Sequence, residues 1–543
     1  MRFNFIFLLL FGGYCLSQQP DPLLVDETKN QNQWVDSIYS TLSLDEKIGQ
    51  LFFPMVFSKK DDQHFKEIKS LIQDHHIGGL IFSQGTPVKQ TQWLNDFQSQ
   101  SKVPLLVTMD AEWGVAMRLD SVVPFPWSMT LGASRDYEII RKVGQRIGEQ
   151  ERLLGVHMSF SPVADINTNP LNPIIGNRSF GENPDIVAKQ VVALMEGHHR
   201  VGILTSAKHF PGHGDTEKDS HLTLPKINFS KDHIEANELY PFKKLIEKNV
   251  SSVMVAHLNV PSLTDSDYPA SLSRKLVTGL LKEKLGFNGL IVTDALNMKG
   301  ADAEIDVNID LAAFEAGNDL LLISLDIPKG IKAIKNAYKN SDYIKMRLKE
   351  SVKKILKAKF KVGLDIAKKL DIEKLYQKLN TLNDTLLIRE AFSKSITLIK
   401  NDNDLIPLSP NHRYSYIKLG DSSGKVFSDR LLQNSFIETI DFKTRSQVLK
   451  TLKNDSKVII SFHRSDINPW KENDLTQEEL KLIEAIAKDH EVILDIFVNP
   501  YALGKLQSIE NINAILVSYQ NNQISQEVSA DILAGFQEAN GVL

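Results

Sequence analysis

The chain has 543 residues, too many for one hydrophobic core, so at least two domains are expected. Its 42% hydrophobic and 24% charged residues describe an ordinary soluble globular protein. A net charge of −4, with no basic stripe interleaved with aromatics, gives no electrostatic case for nucleic acid, and the single cysteine excludes a disulfide framework.

Arg2 precedes the apolar run Phe5 to Phe11, and Cys15-Leu16-Ser17 supplies small residues before Gln18. This is the pattern of a secretory signal peptide over 1–17, cleaved after Ser17. The run is too short to span a bilayer stably, which disfavours a plain anchor. Bulky Tyr14 before Cys15 disfavours a lipid anchor there. The mature protein is then expected in the periplasm or outside the cell, without membrane span, thiol or disulfide.

Ser43-Leu44-Asp45-Glu46 is a capping box that opens a helical turn, and Ile48 to Val56 run apolar into a first strand. Short apolar runs recur at 77–82, 104–110, 156–160, 203–207, 252–257, 289–294 and 319–324, each followed by turn residues. Amphipathic stretches such as Asp185 to Arg200 and Arg274 to Leu285 fill most gaps. Near-continuous apolar strands alternating with helices predict a parallel sheet covered on both faces. Eight of them predict a (β/α)8 barrel over 18–340, with an open doubly wound sheet as the alternative. Asp110, Asp165, Lys208, His209, His257 and Asp294 fall at or just past strand ends, the rim where barrel enzymes keep their active sites, which favours the barrel.

From Tyr343 a Lys-rich amphipathic helix is predicted to lead away from the barrel, opening a helical linker over 341–394. Strands over 395–400, 414–419, 436–440, 457–462, 492–498 and 514–519 then predict a second α/β open-sheet domain over 395–543. Thr476-Gln477-Glu478-Glu479 caps a helix with Leu480, Ile483 and Ile486 on one face. Neither a G-x-G-x-x-G after a strand nor a phosphate-binding loop is present, so nucleotide binding lacks support. The final Asn540-Gly541-Val542-Leu543 carries no helix stop, which leaves a further domain open.

The densest stretch of chemistry is Lys208 to His221, with three histidines, two aspartates and two lysines in fourteen residues. Pro211 and Gly212 forbid a helix directly after the 203–207 strand, so these groups are expected on a loop at its end. Three readings compete: a charged surface loop, a zinc site on His209 and His213, and a catalytic Asp-His pair. The zinc reading suffers from Pro211-Gly212, because HxxxH needs a helix to align its ligands. Asp219 and His221 stand two apart, so in an extended segment they share a face and the carboxylate can orient one imidazole. That carboxylate favours the protonated ring, and His221 can donate and then reclaim a proton. Asp294 ends the seventh strand, either as a helix N-cap or as an ionised nucleophile near Lys208 or Arg178.

Lys208 to His221 resembles the K-H-F-P-G-H-G-x4-D-S-H motif of glycoside hydrolase family 3 β-N-acetylglucosaminidases, and the resemblance runs from Leu42 to Leu543. Gly176-Asn177-Arg178-Ser179-Phe180 looks like the family's G-x-R-S-F segment, and Ser161 to Asp165 like the run before it. Thr293-Asp294 looks like its nucleophile strand, and Asp110 to Arg118 like its D-x-E-G-G-R-V-x-R segment. The resemblance implies a retaining exo-β-N-acetylglucosaminidase. Asp294 would be the nucleophile, and His221, oriented by Asp219, the acid and then base. Asp110, Arg118, Arg178, Lys208 and His209 would bind the terminal sugar, and His213 and Asp215 would shape the loop. No metal or organic cofactor and no nucleic acid are implied, and the expected partner is a carbohydrate met by a monomer. Most retaining glycosidases use two carboxylates about 5–5.5 Å apart, so a histidine acid departs from the common pattern and depends on loop closure. Trp113 and Val115 stand where the family commonly has Gly and Arg. The rivals are a family 3 β-glucosidase or β-xylosidase with a Glu acid on the second domain, a glycoside phosphorylase, and a catalytically silent surface sugar-binding protein. The intact Asp219-Ser220-His221 argues against the first, and Asp294 together with His221 against the last.

Overall fold

A computed structural model describes residues 20–216, 224–264, 268–301, 308–366, 368–435, 437–441, 444–452, 457–470 and 474–543. The segment 1–17, expected to be a signal peptide, and the Asp219–His221 pair lie outside them.

β1 (Phe52–Phe53) and β2 (Met55–Phe57) are two halves of one strand, parted at Pro54, whose nitrogen has no proton to give to a ladder. β3 (Gly79–Ser83), β4 (Leu106–Met109), β5 (Met158–Ser159), β6 (Leu204–Phe210), β7 (Ser252–Val255), β8 (Leu290–Thr293) and β9 (Leu321–Leu322) follow. From β2 to β8 each strand pairs in parallel with its sequence neighbour. β9 pairs with β1 through Phe52 and Leu321, and Val292 bridges to Leu320 at the β8 side, so the ring closes. This is the expected (β/α)8 barrel. Every residue of β3, β4, β7 and β8 is buried. Helices cover the outside of such strands and side chains fill the inside, which is why they read as unbroken apolar runs.

The capping box at Ser43 and Glu46 forms as expected and opens the helix Leu44–Gly49. The helix Asp342–Lys361 does not lead away from the barrel; it lies against it. Arg347 and Lys354 donate to the buried Asp319 carboxylate at 3.2 and 3.3 Å, and Lys359 Nζ donates to Gln50 Oε1 at 2.6 Å. Lysines of this helix are thus in part partners of buried acceptors at the barrel base.

The second sheet holds β10 (Thr397–Asn401), β11 (Tyr414–Leu419), β12 (Ile437–Thr439), β13 (Lys457–His463), β14 (Val492–Phe497) and β15 (Ala514–Val517). Its order is β10-β15-β14-β13-β11-β12, with β10 antiparallel and the rest parallel. The strand order therefore reverses between β11 and β13, as in doubly wound sheets. The Thr476–Glu479 capping box opens the helix Gln477–Asp489, which buries Leu480, Ile483 and Ile486.

Loops at the carboxyl ends of the two sheets meet. Trp127 N–H and Thr130 Oγ1, beyond β4, donate to Gln520 Oε1, beyond β15, at 2.8 and 3.0 Å. Asn167, beyond β5, donates to Tyr501 Oη, beyond β14, at 3.0 Å. Asn177 donates to the Pro469 carbonyl, beyond β13, at 3.3 Å. The barrel rim and the carboxyl edge of the second sheet thus border one region.

Candidate active site

Lys208 and His209 stand on β6 itself rather than on a loop after it. The strand outlasts its apolar run because the segment after β5 pairs with it: Ala164 N–H donates to the Lys208 carbonyl at 2.7 Å, and Lys208 N–H to the Pro162 carbonyl at 3.1 Å. This continued pairing delivers two polar side chains to the barrel mouth.

Asp110, one residue past β4, accepts from Arg118 Nη2 at 2.6 Å and from Lys208 Nζ at 2.8 Å. Lys208 Nζ also meets Glu112 Oε1 at 2.7 Å. Arg178 grips the same Glu112 carboxylate with two bonds, at 2.8 and 2.7 Å, the fork geometry suited to a carboxylate. Arg178 Nη2 approaches His209 Nε2 at 3.4 Å, and His209 Nδ1 lies 2.7 Å from Asp165 Oδ2. A guanidinium can only donate, so His209 accepts at Nε2 and carries its proton at Nδ1 toward Asp165. Asp165 Oδ1 takes the backbone N–H groups of His209 and His213, at 3.1 and 2.8 Å.

Three carboxylates and three cations, from segments distant in sequence, thereby form one connected network. Burial opposes ionisation of Asp110, but Lys208 and Arg118 outweigh it and hold the carboxyl well below the usual range. Burial likewise opposes the Glu112 charge, yet Arg178 and Lys208 bring it down to about 2. For Arg178 burial works against the charge and Glu112 overcomes it, raising the guanidinium above its ordinary value. Such a fixed set of charged donors and acceptors suits a ligand rich in hydroxyls.

Asp294 follows β8. Its N–H donates to the Val255 carbonyl at 2.9 Å, and its Oδ1 accepts from Ala295 N–H at 2.8 Å. The alternative reading of Asp294 as a helix cap does not hold, because the chain after Ala295 runs in turns to a 3-10 segment at Lys299–Ala301. His257, buried at the end of β7, spans from Ser271 Oγ at 2.7 Å to the Ala295 carbonyl at 3.0 Å and holds the peptide next to Asp294. Burial pushes the His213 ring down to about 4, the His209 ring lowering it further while the Asp165 and Asp294 carboxylates oppose the shift.

His213 Nδ1 bonds Thr216 Oγ1 at 2.7 Å, and the His213 carbonyl accepts from Asn172 at 2.9 Å. Asp215 accepts from Thr168 at 3.3 Å. Both residues tie the loop beyond β6 to the loop beyond β5, the shaping role expected of them. With Nδ1 of His209 directed at Asp165 and Nδ1 of His213 at Thr216, the two rings are committed to neighbouring side chains. No group of three or more metal-ligating side chains occurs among the described residues. No helix among them is long and apolar enough to cross a membrane.

Asp110, Arg118, Arg178, Lys208 and His209 are therefore together in one network; Asp219 and His221 lie outside the described residues. Glu112 and Asp165 hold that network together, although sequence reasoning placed Asp165 only at the rim and gave Glu112 no role. Their acidic character within the D-A-E and S-P-V-A-D runs was the available signal. Trp113, where the family commonly has Gly, packs edge-on against Trp470 at 5.9 Å and Trp127 at 6.5 Å. Nothing in the sequence joined Trp470 to this place. A cavity of about 1180 Å³ lies at the opposite end of the barrel, lined by Pro104, His157 and Ile203 before their strands, and contains none of these groups.

The model of the glycosyl hydrolase family 3 N-terminal domain matches residues 43–358. Beta-hexosaminidase A of Pseudoalteromonas piscicida is 30% identical over 389 residues, which cover 65% of this chain and 64% of that protein. A beta-N-acetylglucosaminidase/beta-glucosidase of Cellulomonas fimi is 27% identical over 398 residues, 72% of this chain and 70% of that one. A solved family 3 beta-N-acetylglucosaminidase from Paenibacillus sp. str. FPU-7 superposes with a TM-score of 0.77 at 27% identity, covering 92% of this chain and 98% of that one.

Proposed function

The chain belongs to glycoside hydrolase family 3, and from that premise we propose that it is an exported, retaining exo-β-N-acetylglucosaminidase. Its substrates are terminal β-linked N-acetylglucosamine residues of peptidoglycan fragments or chitooligosaccharides. The observation that carries the reading is the Asp110–Lys208–Glu112–Arg178–His209 network at the barrel mouth together with Asp294 at the end of β8, its neighbouring peptide held by His257.

The terminal sugar binds by its hydroxyls to Asp110, Arg118, Arg178, Lys208 and His209. An Asp294 carboxylate oxygen attacks the anomeric carbon as the glycosidic C–O bond breaks, and the departing oxygen takes the proton of His221. Water then attacks the same carbon, passes its proton to His221 and releases Asp294, with net retention. Asp219 orients and charges His221. The Asp165–His213–Thr216 bonds anchor the near end of the loop that carries this pair.

The identity of the proton donor is tested by leaving groups. A dinitrophenyl leaving group needs little protonation, so His221→Ala should keep far more of its rate on that donor than on a poor leaving group. Equal losses on both would contradict the acid role. The double name of the Cellulomonas relative favours a second reading, a β-glucosidase. Nitrophenyl N-acetylglucosaminide and nitrophenyl glucoside compared side by side decide it, the N-acetyl sugar being expected as the better donor. Glycosyl phosphate formed during turnover in phosphate buffer would point to a phosphorylase instead. Export is checked by Edman sequencing, with Gln18 expected first and Met1 contradicting it.

A further inference from the structure

We propose that Trp470, carried by the second domain, is a specificity-determining residue that stacks against the leaving-group sugar, with Trp113 as its support. The inference rests on the glycosidase reading above and adds to it the part of the substrate that leaves.

Trp470 lies on the loop beyond β13, at the carboxyl edge of the second sheet, beside Pro469, whose carbonyl accepts from Asn177 of the barrel. Its indole sits 5.7 Å from the Arg178 guanidinium and 5.9 Å from the Trp113 ring. Two neighbours thus fix its plane, yet 44% of the residue stays exposed, whereas Arg178 beneath it is 6% exposed and Trp113 8%. A large apolar ring held rigidly half in water is poor as core packing and good as a preformed stacking face. Depth assigns the subsite. Lys208 and Glu112, which with Arg178 form the polar floor, are only 2% and 3% exposed. A terminal sugar that uses this floor occupies the bottom, so the ring passing Trp470 nearer the mouth belongs to the leaving group.

The rival role is adhesion between the domains, and the experiment separates the two. N,N′-diacetylchitobiose carries a sugar as leaving group; N-acetylglucosaminyl fluoride carries only fluoride. In Trp470→Ala, kcat/KM on the disaccharide should fall about tenfold, about the size of a lost stacking contact, mainly through KM. On the fluoride it should stay within about twofold, and Trp470→Phe should restore most of the disaccharide loss. Trp470→Leu, which keeps apolar bulk without a ring, should behave like the Ala variant and serves if that one fails to fold. Equal losses on both donors, with a lower unfolding midpoint, would assign Trp470 to adhesion and overturn the proposal, as would an unchanged disaccharide rate. Were glucosyl donors preferred by the wild type, that would count against the N-acetylglucosaminidase reading alone. Cellobiose against glucosyl fluoride would then give the same comparison for Trp470.

Discussion

Glu112 shows at the scale of one residue how the site is held. Its carboxylate serves Arg178 twice and Lys208 once, in a position 3% exposed. Removing one partner of a buried pair leaves uncompensated charge, at a cost of about 3–5 kcal/mol. Glu112→Gln, nearly equal in shape, should therefore lower the thermal unfolding midpoint and reduce kcat/KM, as calorimetry and steady-state kinetics would register. The pH dependence has a definite sign. Folding depresses the Glu112 pKa to about 2, so its stabilisation is complete above the unfolded value near 4.3 and fades as pH falls from there toward 2. Unfolding midpoints measured across that window should drop in the wild type and drop less in Glu112→Gln. Asp110, Lys208 and His209 were legible from their places at strand ends, and Arg118 and Arg178 from the family resemblance, whereas Glu112 was given no role. Their pairing was not legible, since Arg178 and Glu112 are 66 positions apart and only barrel closure brings them together.

At the scale of elements, apolar runs disclosed the strands well, because helices bury both faces of a parallel sheet and erase the alternation that a half-exposed strand would show. The pattern failed where a strand carries chemistry, as β6 does at Lys208 and His209, and where lysines of the helix Asp342–Lys361 serve buried acceptors. The loop beyond β6 rests on close approach. A Cβ added at Gly214 would stand 1.7 Å from the Ile166 carbonyl oxygen, and that oxygen belongs to backbone that cannot swing aside. Gly214→Ala should push apart the loops beyond β5 and β6 and misplace the segment that leads to Asp219 and His221. The expected result is a fall in kcat of about tenfold or more on poor leaving groups and a smaller one on dinitrophenyl donors, read by steady-state kinetics. A uniform loss on both would place the damage in sugar binding instead.

Across the whole molecule, the carboxyl edges of two sheets face each other, and the second domain is part of the wall of the site. The second open α/β sheet was readable from its strands and the helix cap at Thr476, its doubly wound order only from the structure. Its contact with the barrel was not, because Trp127 and Gln520, which meet at 2.8 Å, are separated by 393 positions. Gln520→Leu would leave the buried Trp127 N–H without its acceptor, at a cost of about 1–3 kcal/mol. A lower unfolding midpoint with Trp113 and Trp470 fluorescence shifted to the red is expected; an unchanged melt would mean that the contact contributes nothing. The proposed chemistry turns on the acid at the end of β8. Mass spectrometry of the protein quenched during turnover of a slow fluorinated N-acetylglucosaminyl donor tests it most directly. A covalent glycosyl adduct on the peptide containing Asp294 is the predicted result; an adduct on a different carboxylate, or undiminished turnover by Asp294→Ala, would contradict it.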